Sequence, residues 1–169
     1  MKTITKLMAV AAGFGMALYH EQVIKTAVPP VLNLVAEQRD MALLTELLRQ
    51  SAEKIYHKVK AAEPNSHNHQ IFTHIIGIER WGQNRLKVAL GEPLVMDEYN
   101  GYRPARERAW DALIDDFVKT RQETIAIAKQ IARTSSPPLI PHNTLGDLSV
   151  EAWLMYLQLH ADGELYKFK

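Results

Sequence analysis

Two histidines and one glutamate occupy positions where helix packing alone favours an aliphatic side chain. His74 lies in an apolar stripe, three residues after Ile71 and four before Ile78. His160 and Glu164 are four residues apart, which places their side chains on one face of a helix and aims them at a common point. A buried carboxylate needs a partner, and a divalent metal ion supplies one. Two imidazoles and one carboxylate form a ligand set typical of catalytic metal sites, because it leaves coordination positions open for water or substrate.

The same residues have a structural interpretation without a metal. A lone inward histidine is most often a hydrogen-bonded core residue. A His–Glu pair four residues apart is a common interaction on helix surfaces, and fraying near the end of the sequence would expose Glu164. Considered alone, these residues leave a metal centre and a packed polar core as open alternatives.

The composition excludes several kinds of site and several kinds of partner. The chain has 169 residues, no cysteine and a formal net charge of +1. The lack of cysteine excludes a disulfide framework, a thiolate metal site and a cysteine nucleophile. The near-neutral charge provides no field for holding nucleic acid or anionic lipid. With 47% hydrophobic and 23% charged residues the chain has the composition of an ordinary globular domain, and we expect no nucleic-acid partner.

The first residues of the chain have two interpretations. Lys2 and Lys6 precede an apolar run over residues 7–19, as in a secretory signal. As a helix the run would extend about 20 Å, short of the roughly 30 Å of a bilayer core, and no small-residue cleavage site follows it directly. We interpret residues 1–30 as an apolar leader or extra helix on a domain of residues 31–169, with no strong membrane signal and a cytoplasmic location. Export or membrane association through residues 1–20 is the alternative.

Apolar periodicity predicts four main helices and no strand, at about residues 31–62, 66–90, 105–133 and 149–168. Pro29–Pro30 is a start signal for the first helix, which is long enough that we expect it to project beyond its neighbours or to bend near Arg39–Asp40. The long loop before the third helix allows the second and third helices to run parallel. The predicted fold is all-α, a four-helix bundle with the N-terminal segment as an extra element.

Three segments of the chain resemble the DinB-like superfamily of bacterial four-helix proteins. They are FTHIIGIERWGQNRLKVALGEP at 72–93, WDALIDDF at 110–117 and HNTLGDLSVEAWLMYLQLHADGEL at 142–165, and their order and spacing fit over about residues 40–169. The resemblance implies a triad of one histidine from the second helix and two from the last, binding nickel, zinc or a similar divalent ion. His74 and His160 match this triad, and Glu164 stands where the family has its third histidine. A carboxylate there shifts the preference toward Fe(II), Mn(II) or Zn(II), and a changed ligand is also one way in which members lose the metal.

The resemblance also implies an activity. Relatives are transferases or isomerases that use a low-molecular-weight thiol such as bacillithiol or mycothiol, and some are hydrolases. A metal that activates thiol or water supplies the nucleophile, so the protein needs no cysteine of its own. The alternative is a non-catalytic DinB-like module for binding or dimerisation that has lost the metal. A homodimer is compatible with both functions.

Further polar residues are weaker candidates, each with a solvated or packed alternative. Tyr99 and Tyr102 are candidate lid aromatics, Asp97 and Glu98 a candidate general base, and Tyr156 a candidate orienting group. Three arginines after the loop are candidates for holding a carboxylate-bearing thiol, with an alternative in which they pair with Glu107 and Asp111 on an exposed helical turn: Arg103, Arg106 and Arg108. Among the remaining histidines, the pair at 67 and 69 is expected to be solvated, and those at 20, 57 and 142 lack partners at ligand spacing.

Overall fold

Five α-helices make up most of the part of the chain that the computed structural model describes, which is residues 19–169, with side chains from residue 28. They are α1 (Tyr19–Glu37), α2 (Met41–Lys60), α3 (Ser66–Lys87), α4 (Trp110–Ile131) and α5 (Val150–Glu164). Three short 3₁₀ turns lie at Val88–Leu90, Tyr99–Tyr102 and Leu165–Lys167, and two three-residue strands, β1 (Ile140–His142) and β2 (Gly146–Leu148), form a hairpin. The protein is therefore mostly helical, which confirms the all-α class.

The predicted first helix is two helices. α1 ends at Glu37, and the Asp40 side chain caps α2 by accepting a hydrogen bond from the Leu43 amide at 2.7 Å. The expected bend near Asp40 is thus a complete break. The predicted start at Pro29–Pro30 is wrong, because α1 begins at Tyr19 and contains both prolines. Each proline costs the helix a backbone hydrogen bond, and burial of neighbouring apolar side chains against the core compensates for that loss: Val28, Leu32 and Val35.

The predicted leader falls largely outside the described residues, because the structure describes nothing before Tyr19. Its interpretation as leader, export signal or extra helix stays a prediction. Within residues 19–169, no helix combines the length and the apolar composition required to cross a bilayer.

Local capping residues define the starts of α3 and α5 where the sequence predicts them. Asn65 accepts a hydrogen bond from the Asn68 amide at 2.9 Å, and Ser149 accepts one from the Ala152 amide at 3.1 Å. The predicted start of α4 at residue 105 is wrong, since the helix begins at Trp110. Pro104 keeps the residue before it extended, and a separate turn over residues 105–108 precedes the helix.

α3 and α4 run parallel, an arrangement that the long loop between them allows. Near their N-terminal ends the rings of Phe72 and Phe117 pack at 5.7 Å between centroids. Further along, the Gln83 side chain donates to Thr124 Oγ1 at 3.1 Å. The connection over residues 88–109 spans the return distance between the end of one helix and the start of the next.

α5 runs antiparallel to α3 and lies unusually close to it. At Gly82 a Cβ atom would lie 2.6 Å from Cδ2 of Leu157, so this position has room only for glycine. At the far end, Asn68 Nδ2 donates to the Lys169 carbonyl at 2.7 Å and the Lys169 amide donates back to Asn68 Oδ1 at 3.0 Å. These bonds hold the segment that follows Glu164, so the fraying alternative does not apply in this structure.

The β-hairpin is absent from the sequence prediction. β1 and β2 pair antiparallel, with Ile140 opposite Leu148 and His142 opposite Gly146. The His142 ring closes the turn, since its Nδ1 accepts hydrogen bonds from the amides of Thr144 and Leu145, each at 3.1 Å. Strands of three residues are too short to display the alternation by which strands are recognised.

A buried ion pair links α3 to α4. Glu79 Oε2 and Arg121 Nη2 are 3.0 Å apart, and each side chain is 1% exposed. The sequence does contain a signal for this pair, because Glu79 lies four residues after Ile75 and Arg121 four residues after Phe117, both on buried helix faces.

Candidate metal centre

The three predicted ligands converge on one cavity. His74 comes from α3, and His160 and Glu164 come from adjacent turns of α5. One ligand atom from each lies within 4.8 Å of the other two, and the centroids of the two imidazoles are 5.0 Å apart. Glu164 is only 7% exposed, and all three side chains line a cavity of about 450 Å³. The three side chains therefore lie close enough together for the proposed site, while their role as metal ligands stays a prediction.

The donor set fits a divalent cation. Metal–nitrogen and metal–oxygen bonds of roughly 2.0–2.2 Å place opposite ligands about 4 Å apart, so small side-chain rotations would bring the three atoms to ligating distance. His160 Nδ1 is buried and has no hydrogen-bond partner in the part of the chain that the structure describes. A buried polar atom usually has a hydrogen-bond partner. Metal ligation through this nitrogen, after a rotation of the ring, would supply the missing partner.

Burial keeps both imidazoles in the form that ligates metals. It lowers the pKa of His74 to about 4, although the nearby Glu164 carboxylate acts in the opposite direction. It lowers the pKa of His160 to about 3, with the neighbouring His74 adding to the effect. Both rings are therefore neutral at pH 7, with a lone pair available.

Two cationic side chains contact this cluster. Arg103 Nη2 lies 2.9 Å from His74 Nδ1, and Lys167 Nζ lies 2.6 Å from Glu164 Oε1. Among the described residues the hydrogen-bond partner of Glu164 is a lysine, and no hydrogen bond joins it to His160. Two of the three candidate ligands therefore have hydrogen bonds to other side chains of the protein.

The loop before α4 forms one wall of the cavity. Tyr99 packs edge-on against His74 at 5.1 Å between ring centroids, and a lid function for it stays a prediction. Tyr102 does not line the cavity; its hydroxyl donates to the Asp97 carboxylate and accepts from Asn84 at 2.8 Å. Asp97 is thereby occupied, whereas Glu98 lines the cavity. Glu98 Oε1 in turn accepts a hydrogen bond from Asn143 Nδ2 at 2.9 Å, so both acidic candidates for a general base have a partner and only Glu98 borders the cavity.

A buried arginine anchors that loop to the hairpin. Arg85 is 1% exposed, and its guanidinium donates to the carbonyls of Val95 and Asp97 and to Asn143 Oδ1 at 2.8 Å. The indole of Trp81 donates to the same Asp97 carbonyl at 3.1 Å. These bonds hold the loop and the hairpin together beside the cavity, a role that the sequence prediction does not assign to Arg85.

His142 is a site residue that the sequence analysis missed. It lines the cavity and is 8% exposed, with three aromatic rings around it at 4.8–5.1 Å between centroids: Trp81, Trp153 and Tyr156. Because its Nδ1 accepts two amide bonds, the proton of the neutral ring is on Nε2. Within the described residues Nε2–H has no hydrogen-bond partner. The available signal was its position directly before the turn-forming residues at 143–146 rather than any ligand spacing.

Tyr156 lines the cavity, with its ring centroid 5.7 Å from that of His160, whereas the remaining arginine and histidine candidates lie away from the cluster. Arg108 is exposed and pairs with Asp116 at 2.9 Å instead of Glu107 or Asp111. The ring of His67 bonds to the Lys167 carbonyl and that of His69 to the Arg108 carbonyl, each at 2.9 Å. Arg106 and His57 are exposed, and the His20 side chain is outside the described residues. Of the three arginines, only Arg103 reaches the cavity.

The buried His142 predicts a specific loss of stability in acid. Burial, with the positive charge of Arg85 adding to it, lowers the pKa of His142 to about 3 from an ordinary value of 6.5. The folded state therefore binds fewer protons than the unfolded state between these values. The contribution of His142 to the free energy of unfolding is complete above about pH 6.5. It is lost as the pH falls toward 3, at about 1.4 kcal/mol per pH unit.

His142→Asn removes this titration and keeps a short acceptor for the two turn amides. We expect the free energy of unfolding, measured with urea in chelator-treated buffer from pH 7 down to about pH 4, to decline less steeply in the variant by about that amount. Identical slopes in the two proteins would show that His142 does not stay neutral in the folded state.

Comparison of the chain with models of known families, with curated proteins and with solved structures yields no match. Any functional assignment therefore depends on the geometry of the chain itself.

Proposed function

We propose that this protein is a metal-dependent enzyme of the DinB-like superfamily, a thiol-dependent transferase or a hydrolase acting on a small molecule. The observation that carries the proposal is the convergence of His74, His160 and Glu164 on a cavity of about 450 Å³. In this proposal α2–α5 are the four-helix bundle of that superfamily. The parallel packing of α3 and α4 and the antiparallel packing of α3 and α5 support such a topology.

Each residue of the cavity would have a distinct role in the reaction. A bound Zn(II), Ni(II), Fe(II) or Mn(II) ion would lower the pKa of a thiol or a water molecule and so provide a nucleophile. The imidazoles of His74 and His160 would hold the ion through neutral nitrogens, and Glu164 would offset part of its charge. Glu98, on the cavity wall, would accept the proton released from the nucleophile.

His142 has a separate role in this proposal. Its Nδ1 is held by the turn amides, so the ring of this cavity-lining residue has a fixed orientation, and its Nε2–H would act as a donor to a ligand that reaches it. A neutral donor of this kind polarises a carbonyl or similar oxygen without competing for the proton. The lack of cysteine means that a thiol nucleophile would arrive as a small molecule.

Metal analysis tests the proposal directly. We expect protein purified without chelator and without a metal-binding tag to contain close to one first-row divalent ion per chain, measured by inductively coupled plasma mass spectrometry. A preparation that contains no metal, and that takes up none of zinc, nickel, iron or manganese after dialysis, would contradict it.

One observation favours a second candidate, a non-catalytic module for binding or dimerisation. Arg103 and Lys167 already satisfy His74 and Glu164 with hydrogen bonds at 2.9 and 2.6 Å. In such a module these two hydrogen bonds would persist because no metal displaces them. The metal analysis would then find no ion although the protein is folded. Sedimentation equilibrium would then report whether the chain dimerises.

A further inference from the structure

Arg103 is placed against His74 by a close approach between the loop and α3. A Cβ atom at Gly77 would lie 2.8 Å from Cγ of Arg103 and 3.3 Å from its backbone, so a side chain at this position would push the arginine away. The guanidinium carbon lies 5.5 Å from the centroid of the Tyr99 ring, and Nη2 lies 2.9 Å from His74 Nδ1. The arginine is therefore held at the cavity wall beside a candidate ligand.

This contact and metal ligation by His74 exclude each other. A guanidinium only donates, so His74 Nδ1 must be the acceptor and must carry no proton. A neutral imidazole that ligates a metal through one nitrogen carries its proton on the other. If the metal takes Nδ1, the lone pair is used; if it takes Nε2, Nδ1 bears the proton. In both cases Arg103 has to leave His74. Lys167 differs, because a carboxylate such as Glu164 has lone pairs for a lysine and a metal together.

In the arrangement that the structure shows, Arg103 has no acidic partner among the described residues. In the described part of the chain no carboxylate lies within 4 Å of Arg103, unlike Arg108 and Arg121, which have one. Its Nε is buried and also has no hydrogen-bond partner among these residues. The charged residues of the cavity are two acids and two bases that cancel, namely Glu98, Glu164, Arg103 and Lys167. A divalent ion would leave the cavity with two excess positive charges, which favours an anionic ligand.

We propose that Arg103 is an exchangeable carboxylate-binding residue, bonded to His74 in the metal-free protein and to the carboxylate of a small-molecule substrate once His74 ligates a metal. The planar guanidinium matches a carboxylate with two parallel hydrogen bonds. The inference rests on the proposed metal site and adds to it the substrate class and an order of binding. Because linkage is reciprocal, carboxylate and metal must raise each other's affinity.

The test measures zinc affinity by competition with a chromophoric chelator in three full-length proteins: wild type, Arg103→Met and Arg106→Met. Methionine keeps the aliphatic stem that packs on Gly77, and Arg106 is an exposed arginine of the same segment. Each protein is measured in excess sodium propionate and in an equal concentration of sodium chloride. A second neutral variant, Arg103→Leu, checks the result, and near-ultraviolet circular dichroism checks that all variants are folded.

In chloride we expect Arg103→Met to bind zinc roughly three- to tenfold more tightly than wild type, because a competing charged hydrogen bond is gone. Propionate should raise zinc affinity in wild type and in Arg106→Met by a few-fold and leave Arg103→Met unchanged. Equal zinc affinities in chloride, or an equal propionate effect in all three proteins, would overturn the inference while leaving the metal site intact. No zinc binding in any of them would overturn the proposed function together with it.

Discussion

Replacing His160 with alanine is expected to lower the affinity for zinc by at least about 100-fold. The substitution removes one of three ligands, whereas loss of a residue that merely supports a ligand already costs 10–100-fold in comparable sites. Bound metal stabilises only the folded state, so the rise in melting temperature that zinc produces in wild type should disappear in the variant. Chelator competition measures the affinity, and differential scanning calorimetry measures the melting temperature.

Two companion variants make this result specific. His67→Ala removes a histidine that bonds to the Lys167 carbonyl and is not part of the ligand cluster, so its zinc affinity should equal that of wild type. Glu164→His replaces the carboxylate with the residue that the family resemblance implies, and it should keep one bound ion while shifting the preference toward nickel. Unchanged zinc affinity in His160→Ala would remove this residue from the site.

The predictable part of the site depends on local spacing. His160 and Glu164 are one helical turn apart, so their shared face follows from helix geometry without knowledge of the fold. The interruption in the apolar stripe at His74 likewise marks a polar group directed inward. Caps such as Ser149 are equally local, which explains why α5 begins where the sequence predicts it.

The unpredicted part depends on contacts between distant segments. His142 lines the cavity because a hairpin of two very short strands packs toward Trp81 and Trp153. No alternation of apolar residues in the sequence predicts that hairpin. Arg103 reaches His74 only because Gly77 leaves room for it, a relation between residues on a loop and a helix. Both arrangements change the chemistry of the site, since one supplies a donor and the other a competitor for a ligand.

Replacing Arg121 with methionine is expected to lower the free energy of unfolding by about 3–5 kcal/mol. Arg121 and Glu79 form an ion pair at 3.0 Å with each side chain 1% exposed. Methionine fills much of the same volume but leaves the Glu79 carboxylate buried without a counter-charge, and the desolvation cost of that charge is no longer offset. Urea unfolding of the metal-free protein at pH 7, followed by circular dichroism, measures the loss.

The double variant Glu79→Leu with Arg121→Met should regain most of that loss or exceed wild type. Within the described residues, Glu79 Oε1 and all three guanidinium nitrogens of Arg121 have no hydrogen-bond partner of good geometry, although Nη2 lies 3.0 Å from Glu79 Oε2. A pair supported by so few hydrogen bonds repays little of its desolvation cost, so apolar side chains of similar size are at least as favourable in its place. The two single variants and the double variant form a cycle that isolates the coupling between the residues. Additive losses would contradict this interpretation, because they would mean that Glu79 and Arg121 stabilise the fold independently of each other.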